Sequence, residues 1–351
     1  MTRLVRGPGC YGPERACETV AGCHLRLDRK ELTVQYENLG NSGLQVSRAC
    51  LGAMMFGHTN NAPTDETESR RVIDAFVDAG GNFVDTANVY VGGESEEVVG
   101  RAVKAKRDDV VIATKGFGPI GSGPNTMGLG RKYLTRALDE SLRRLDTEYV
   151  DLYQCHRPDP DTPIAETMAT LHSFVESGKV RYIGCSNWTG SQIVEAQWAA
   201  KDSGGTPFVS LQPRYSLAAR QIEADVLPAC QRHGLGTMIY SPLGGGVLTG
   251  KYTKGEPAPT DSRAGRNEGW GARMLDEQSL DTADAVGKIA AELGTTSTAV
   301  AIAWVLSRRG VTSVIIGPRT FEQYEQNMEA FDLELDAGVI KRLSDLSRWA
   351  R

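Results

Sequence analysis

The chain has 351 residues, 40% hydrophobic and 24% charged, with a formal net charge of -5. That length can bury a large core, so the fold needs neither a disulfide framework nor a structural metal. The acidic balance, without any basic block, argues against a nucleic-acid partner, and no apolar run is long enough to cross a bilayer.

The first 33 residues carry no signal-type apolar run and read as a disordered extension ahead of one domain over 34–351. Within the extension, Cys10, Cys17 and Cys23 beside His24 lack a C-x2-C pair, so no metal is expected. Cys50, Cys155 and Cys185 sit in apolar runs and read as buried reduced thiols, which suits the cytoplasm. Next comes a hairpin signal: 36–39, a turn at Asn41-Ser42-Gly43, then Leu44 and Val46. Strand-like runs follow at 49–54, 83–87, 110–115, 150–156, 180–187, 208–214, 236–243 and 312–317. Amphipathic helices lie between them, most clearly at 67–79, 95–106, 132–145 and 166–177, with Gly80-Gly81 and Gly178 as stops.

A strand regained only after a helical crossover is parallel to its predecessor, and eight such units close a barrel. The expected fold is therefore α/β, a (β/α)8 TIM barrel with an N-terminal β-hairpin and a C-terminal helix; an open doubly wound sheet is the alternative. Two segments, 116–131 and 253–278, are rich in glycine, proline and polar residues, and each follows a strand end. Loops of that size inside a domain tend to be functional.

In a parallel barrel the C-terminal strand ends share one rim. Asp85, Lys115 and His156 end three successive strands, and Tyr90 follows the first of them. Their chemistry fits together. A carbonyl that accepts a hydride must also receive a proton, and a free phenol with a pKa of about 10 is a reluctant proton-transfer group at neutral pH. A nearby ammonium lowers that pKa, a carboxylate holds the ammonium, and an imidazole can orient the carbonyl oxygen. Each residue alone is as easily structural: a cap, a packed ring, a solvated lysine. Their joint placement carries the argument.

These motifs resemble the aldo-keto reductase family from about Tyr36 onward. The similar segments are Phe83-Val84-Asp85-Thr86-Ala87 with Tyr90, Gly92, Ser95 and Glu96-Glu97; Ile112-Ala113-Thr114-Lys115; Asp151-Leu152-Tyr153-Gln154 through His156; and Gly178-Lys179-Val180-Arg181 with Gly184 and Ser186-Asn187. The resemblance implies a barrel that binds NADPH/NADP+ without a Rossmann fold. It implies Tyr90 as general acid/base, Lys115 and Asp85 as its tuning pair, and His156 as substrate orienter.

Tyr240-Ser241-Pro242-Leu243 runs into Gly244-Gly245-Gly246, with Lys251 beyond, a stretch whose amides and ammonium suit a pyrophosphate. Gly317, Arg319, Gln323, Gln326 and Asn327 surround the start of the next helix, where dipole and guanidinium both favour a phosphate. By resemblance Tyr240 stacks on the nicotinamide, and Ser186, Asn187 and Gln212 hold its carboxamide. Arg319 and Gln323 take the adenosine 2′-phosphate, Asn327 the adenine, Arg263 folds over the cofactor, and Met54 joins the contacting set. Gly116-Phe117-Gly118-Pro119-Ile120-Gly121 matches G-x-G-x-x-G, but the following breakers allow no helix before Lys132, so it reads as a substrate-side loop. Phe56, Tyr90, Phe117 and Trp188 are candidates for an apolar substrate wall.

The expected function is NADP(H)-dependent reduction of an aldehyde, ketone or sugar, with a small carbonyl or alcohol as the partner molecule. The alternative is a cofactor-binding sensor resembling potassium-channel β subunits, a branch that lacks histidine at the position of His156.

Overall fold

The computed structural model describes residues 34–58, 64–260 and 262–347. The expected disordered extension, with Cys10, Cys17, Cys23 and His24, lies outside the described residues. The expected barrel falls in the compact unit Leu32–Arg351.

A short antiparallel hairpin comes first, β1 (Tyr36–Asn38) with β2 (Gln45–Ser47). Eight parallel strands then close a barrel: β3 (Ala49–Gly52), β4 (Phe83–Asp85), β5 (Val111–Gly116), β6 (Val150–Cys155), β7 (Val180–Ser186), β8 (Ser210–Gln212), β9 (Gly236–Ile239) and β10 (Val311–Ile316). The order is sequential, and β10 completes the ring by pairing with both β9 and β3. The open-sheet alternative is thereby excluded.

Side chains alternate across each strand, so every second residue faces the barrel interior. Phe83, Val111, Ala113, Leu152, Met238 and Ile315 form that inner core, joined by Leu39 and Val46 from the hairpin. The hairpin sits against the strands' N-terminal ends: Asn41 N–H donates to Gly234 O at 2.8 Å, and the backbone of Gly40 abuts Val209 and Gly236. One end of the barrel is thus plugged by apolar side chains, which leaves the other end for chemistry.

The outer layer holds α1 (Glu66–Asp78), α2 (Glu94–Val103), α3 (Arg131–Leu145), α4 (Ile164–Glu176), α5 (Gly190–Ser203) and α6 (Val226–His233), one after each of β3 to β8. After β9 come α7 (Arg263–Arg266), α8 (Glu268–Met274), α9 (Glu277–Leu293) and α10 (Ser297–Leu306). After β10 come α11 (Phe321–Met328) and α12 (Ala337–Leu346), the expected C-terminal helix. Asp65, Thr189, Asp276, Thr296, Thr320 and Asp336 each accept a backbone N–H three residues on, caps that contribute about 1 kcal/mol apiece. At the end of α1, Gly80 takes φ 89° and Gly81 lies against the Phe76 ring, so the predicted stop has both a conformational and a steric cause. Cys50, Cys155 and Cys185 are buried and free, as is Cys230.

Two expectations need correction. The segment 253–278 is not a continuous loop: it contains α7, capped by Ser262, and α8. The predicted helix over 95–106 ends at Val103, because 104–109 tightens into a 3-10 turn from which Arg107 reaches the carbonyls of Val110 and Tyr149. The segment before α3 is irregular up to Arg131, in keeping with the rejected Rossmann reading. Among the described residues no single helix is long and apolar enough to cross a membrane.

Helix α2 packs so closely on the end of α3 that a Cβ at Gly100 would meet the Leu145 carbonyl oxygen at 2.4 Å. Gly100→Ala should therefore destabilise the fold by about 1–3 kcal/mol, although alanine is the better helix former by about 1 kcal/mol. A urea midpoint at or above that of the unsubstituted protein would show that the packing is slack.

Candidate active site

Lys115 stands at the centre. Its side chain is wholly buried, and its ammonium donates to Asp85 Oδ2 at 2.6 Å, to the Thr86 carbonyl at 2.7 Å and to the Tyr90 hydroxyl at 3.3 Å. An ammonium has three protons, and all three are used. The other carboxylate oxygen, Asp85 Oδ1, accepts from Gln212 Nε2 at 2.8 Å and from Gln154 Nε2 at 3.2 Å. Strand register explains the convergence. Asp85, Lys115, Gln154 and Gln212 are in phase with the inward-facing Phe83, Ala113, Leu152 and Ser210, and Lys115 pairs directly with Gln154 across β5 and β6.

Tyr90 comes from the turn after β4. Val91, Gly92 and Gly93 all take positive φ, at 51°, 68° and 103°, which reverses the chain into α2 and leaves the Tyr90 ring over Lys115 Nζ at 4.8 Å. His156 follows β6 and packs edge-on against Tyr90, with ring centroids 5.6 Å apart. The four predicted residues therefore meet in one place. Ser95 and Glu96, part of the same motif, do not reach the cluster but brace it. Ser95 Oγ donates to the Ala53 carbonyl at 2.7 Å and lies 2.8 Å from Thr86 Oγ1. Buried Glu96 accepts from Thr114 at 2.5 Å and from Arg144 Nε at 2.7 Å, tying α2 to β5 and α3.

Burial lowers the His156 imidazole pKa to about 3, with Lys115 and Arg157 adding like-charge repulsion, so the ring is neutral near pH 7. Burial also raises the Tyr90 pKa; the Lys115 ammonium pulls it down, but not enough to reverse the direction, and Asp85 pushes it further up. This corrects the expectation of a net lowering. The phenol is held as a proton-bearing acid. For Lys115, burial pulls the pKa down, but Asp85 and then Tyr90 more than offset it, so the ammonium stays charged.

The residues expected at the nicotinamide also converge. Asn187, at φ 63°, donates to Ser186 Oγ at 2.9 Å; Ser186 Oγ donates to the Gln212 carbonyl at 2.8 Å; and the Tyr240 hydroxyl donates to Asn187 Oδ1 at 2.7 Å. Met54 is exposed at the end of β3. Ser241, Pro242 and Leu243 lead into a turn over Gly244–Thr249, where Gly244, Gly245 and Gly246 take φ of 60°, 70° and 102°. Lys251 folds back on it, so that a Cβ at Gly246 would lie 2.9 Å from its Nζ. Arg263 is the exposed first residue of α7, and Gly317 and Pro318 lead from β10 toward α11.

The α11 terminus departs from expectation. Its Phe321 N–H donates to Glu68 Oε1 at 2.5 Å, its Gln323 N–H donates to Thr320 Oγ1 at 3.2 Å, and Gln323 Oε1 accepts from the Arg319 N–H at 3.0 Å. The Arg319, Phe321 and Gln323 amides at this terminus are thus used within the protein, which leaves the Arg319 guanidinium as the main attraction for a phosphate there. Asn327 is buried and Gln326 exposed. Of the expected apolar wall, Phe56, Phe117 and Trp188 are all buried, and Trp188 packs edge-on against Phe208 at 5.3 Å.

Sequence reasoning gave Gln154 no role. Its signal was phase: it lies two residues before His156, on the inward face. Gln154→Met should cost about 1–3 kcal/mol of stability by removing one donor from a buried carboxylate. Gln154→Glu should cost more, because a second carboxyl would face Asp85 where little water screens it. Equal urea midpoints for the two variants would show that Gln154 does not serve Asp85.

The chain matches the Aldo/keto reductase family over residues 48–348. It is 41% identical over 309 residues to a probable voltage-gated potassium channel subunit beta of Arabidopsis thaliana, covering 86% of this chain and 92% of that one. It is 39% identical over 324 residues to an uncharacterized oxidoreductase of Bacillus subtilis, covering 89% of this chain and 96% of that one. It is 36% identical over 311 residues to the L-glyceraldehyde 3-phosphate reductase of Escherichia coli K12, covering 85% of this chain and 88% of that one. The chain belongs to the aldo/keto reductase family of oxidoreductases.

Proposed function

We propose that the protein reduces a carbonyl compound to an alcohol using NADPH, with Tyr90 as the proton donor. The observation that carries this reading is the buried contact of Lys115 with both Asp85 and the Tyr90 hydroxyl, beside a neutral His156. The residues fit the cofactor on their own chemistry. Three consecutive left-handed glycines under Lys251 form a cradle that side chains would fill, and Gln212 spends its amide donor on Asp85, leaving its carbonyl oxygen to accept from a carboxamide. Ser186, Asn187, Gln212 and Tyr240 would hold the nicotinamide end. Residues 241–246 with Lys251 would hold the pyrophosphate, and Arg319, Gln323, Gln326 and Asn327 the adenosine end. The bound cofactor supplies the hydride that reaches the carbonyl carbon.

The chain's own groups manage the oxygen. The neutral imidazole of His156 donates a hydrogen bond that fixes the carbonyl, and Tyr90 gives its hydroxyl proton to that oxygen as the carbon is reduced. Lys115 stabilises the phenolate left behind, and Asp85 holds the ammonium in place. Such proton transfer contributes roughly 10²–10⁴-fold in rate.

Similarity to the plant channel subunit supports a second reading, in which the protein binds the cofactor as a sensor. A screen of simple aldehydes, ketones and sugars decides between them: failure of every carbonyl to oxidise bound NADPH would favour the sensor. Where turnover is found, Tyr90→Phe should lower kcat about 100-fold, or about 3 kcal/mol in barrier, with NADPH affinity nearly intact. Equal loss of both would make Tyr90 structural.

Cofactor choice is separately testable. Glu68 places a carboxylate on the α11 terminus, with Arg71 3.7 Å from its other oxygen. Glu68→Gln keeps the hydrogen bond to Phe321 and removes the charge, so NADPH affinity should rise relative to NADH by about 3- to 10-fold. An unchanged ratio would place the 2′-phosphate elsewhere.

A further inference from the structure

Among the described residues the N–H groups of Arg157 have no polar partner. The buried and half-buried arginines Arg107, Arg144 and Arg220 are committed, to Asp151 at 2.8 Å, Glu96 at 2.7 Å and Glu223 at 2.8 Å. Arg157 makes no hydrogen bond and no ion pair among the described residues, and its side chain is exposed. Asp159, two residues on, turns its oxygens to Leu129 N–H at 2.7 Å, Thr162 Oγ1 at 2.7 Å and Asp161 N–H at 3.1 Å instead.

Its position is nevertheless fixed. The guanidinium carbon lies 4.1 Å over the ring of Phe117, and Phe117 follows Lys115 by two residues at the end of β5. Arg157 itself directly follows His156 at the end of β6. A planar cation is thus stacked on an aromatic face between the two strand ends that supply Lys115 and His156, close enough to add to the repulsion that keeps His156 neutral. The Asp85–Lys115 pair is neutral as a unit and both rings are uncharged, so the charges left around this part of the rim are Arg157 and Asp159, and Asp159 turns its oxygens to neutral donors while Arg157 keeps its N–H groups unused.

We propose that Arg157 is a specificity residue that receives an anionic group of the substrate, so that the preferred carbonyl compounds carry a carboxylate or a phosphate monoester a few atoms from the reacting carbon. This rests on the reading of Tyr90 and His156 as the groups that face the carbonyl. An arginine fork binds either anion through two parallel N–H donors, and stacking on Phe117 holds it ready, with Asp159 near enough to feel its charge but hydrogen-bonded elsewhere.

The experiment compares matched substrates, succinic semialdehyde with butanal and glyceraldehyde 3-phosphate with glyceraldehyde, so that the two pairs separate carboxylate from phosphate. The protein should prefer the charged member of at least one pair. Arg157→Met, which keeps an unbranched side chain over Phe117, should lower kcat/KM for that member about tenfold or more through KM, and Arg157→Lys should recover part of the loss. The neutral partner should change by less than about twofold, since a charge contact absent from its complex cannot be lost. No preference in either pair, or a parallel loss on both members, would overturn the proposal. A second readout is independent of turnover: quenching of tryptophan fluorescence by butyrate and by phosphoglycolate in the presence of NADP+. Weaker anion binding in Arg157→Met without turnover of any aldehyde would support the anion site and remove the reductase reading. Turnover of aldehydes with anion binding that ignores residue 157 would do the reverse.

Discussion

The structure turns on one buried ion pair. Taking an ammonium and a carboxylate out of water costs several kcal/mol each, and their mutual attraction repays it only when the remaining protons and lone pairs are also satisfied. Lys115 and Asp85 meet that condition. The ammonium has three acceptors, the carboxylate two amide donors beyond the lysine, and the register of five strands brings them together. The third acceptor is the point of the arrangement. Asp85 and the Thr86 carbonyl are fixed by the barrel, whereas the Tyr90 hydroxyl sits on a turn and makes the longest of the three contacts, at 3.3 Å. A fully satisfied buried charge is therefore aimed at its least firmly held acceptor, which is where a developing phenolate would need it.

Alternation across the strands then divides the barrel into two ends. The same inward phase that gives Phe83, Val111, Ala113, Leu152 and Ile315 to the apolar core gives Asp85, Lys115 and Gln154 to the rim. Leu39 and Val46 of the hairpin close the opposite end. Polar groups thus accumulate at the C-terminal strand ends because the rest of the interior is already filled. Motif residues that do not face inward serve the frame: Thr114 of β5 and Glu96 of α2, with Arg144 of α3, fix α2 and hence the turn that carries Tyr90.

Much of this was legible in the sequence, for identifiable reasons. Barrel strands are short apolar runs between glycines and amphipathic helices, so all eight could be found, and the four residues at the strand ends stood out by charge and position. Edges were less visible. The run ending near 243 shortens to Ile239 because Ser241 takes a left-handed φ of 53°, which no serine advertises. Helices α7 and α8 hid in a segment rich in glycine and arginine, since each is too short for a periodic pattern to form. The α11 terminus looked open because its partner, Glu68, lies more than 250 residues earlier on α1. Long-range capping of this kind leaves no local trace.

The sign of the Tyr90 shift bears on how such a site works. An isolated reading of the ammonium beside the phenol predicts a lowered pKa, but burial outweighs it. The proposed role as proton donor needs a group that holds its proton until the carbonyl oxygen gains charge, and desolvation of Tyr90 is consistent with that. On the proposed reading, what Lys115 supplies is differential: its interaction is weak with the neutral phenol at 3.3 Å and would be strong with the phenolate that proton transfer would create. A neutral His156 suits that reading, since an imidazolium there would repel Lys115 and compete with Tyr90 as the proposed acid. Burial thus acts on the two rings in opposite directions and reaches one result: both stay neutral, and the phenol alone is placed beside a charge that rewards its ionisation.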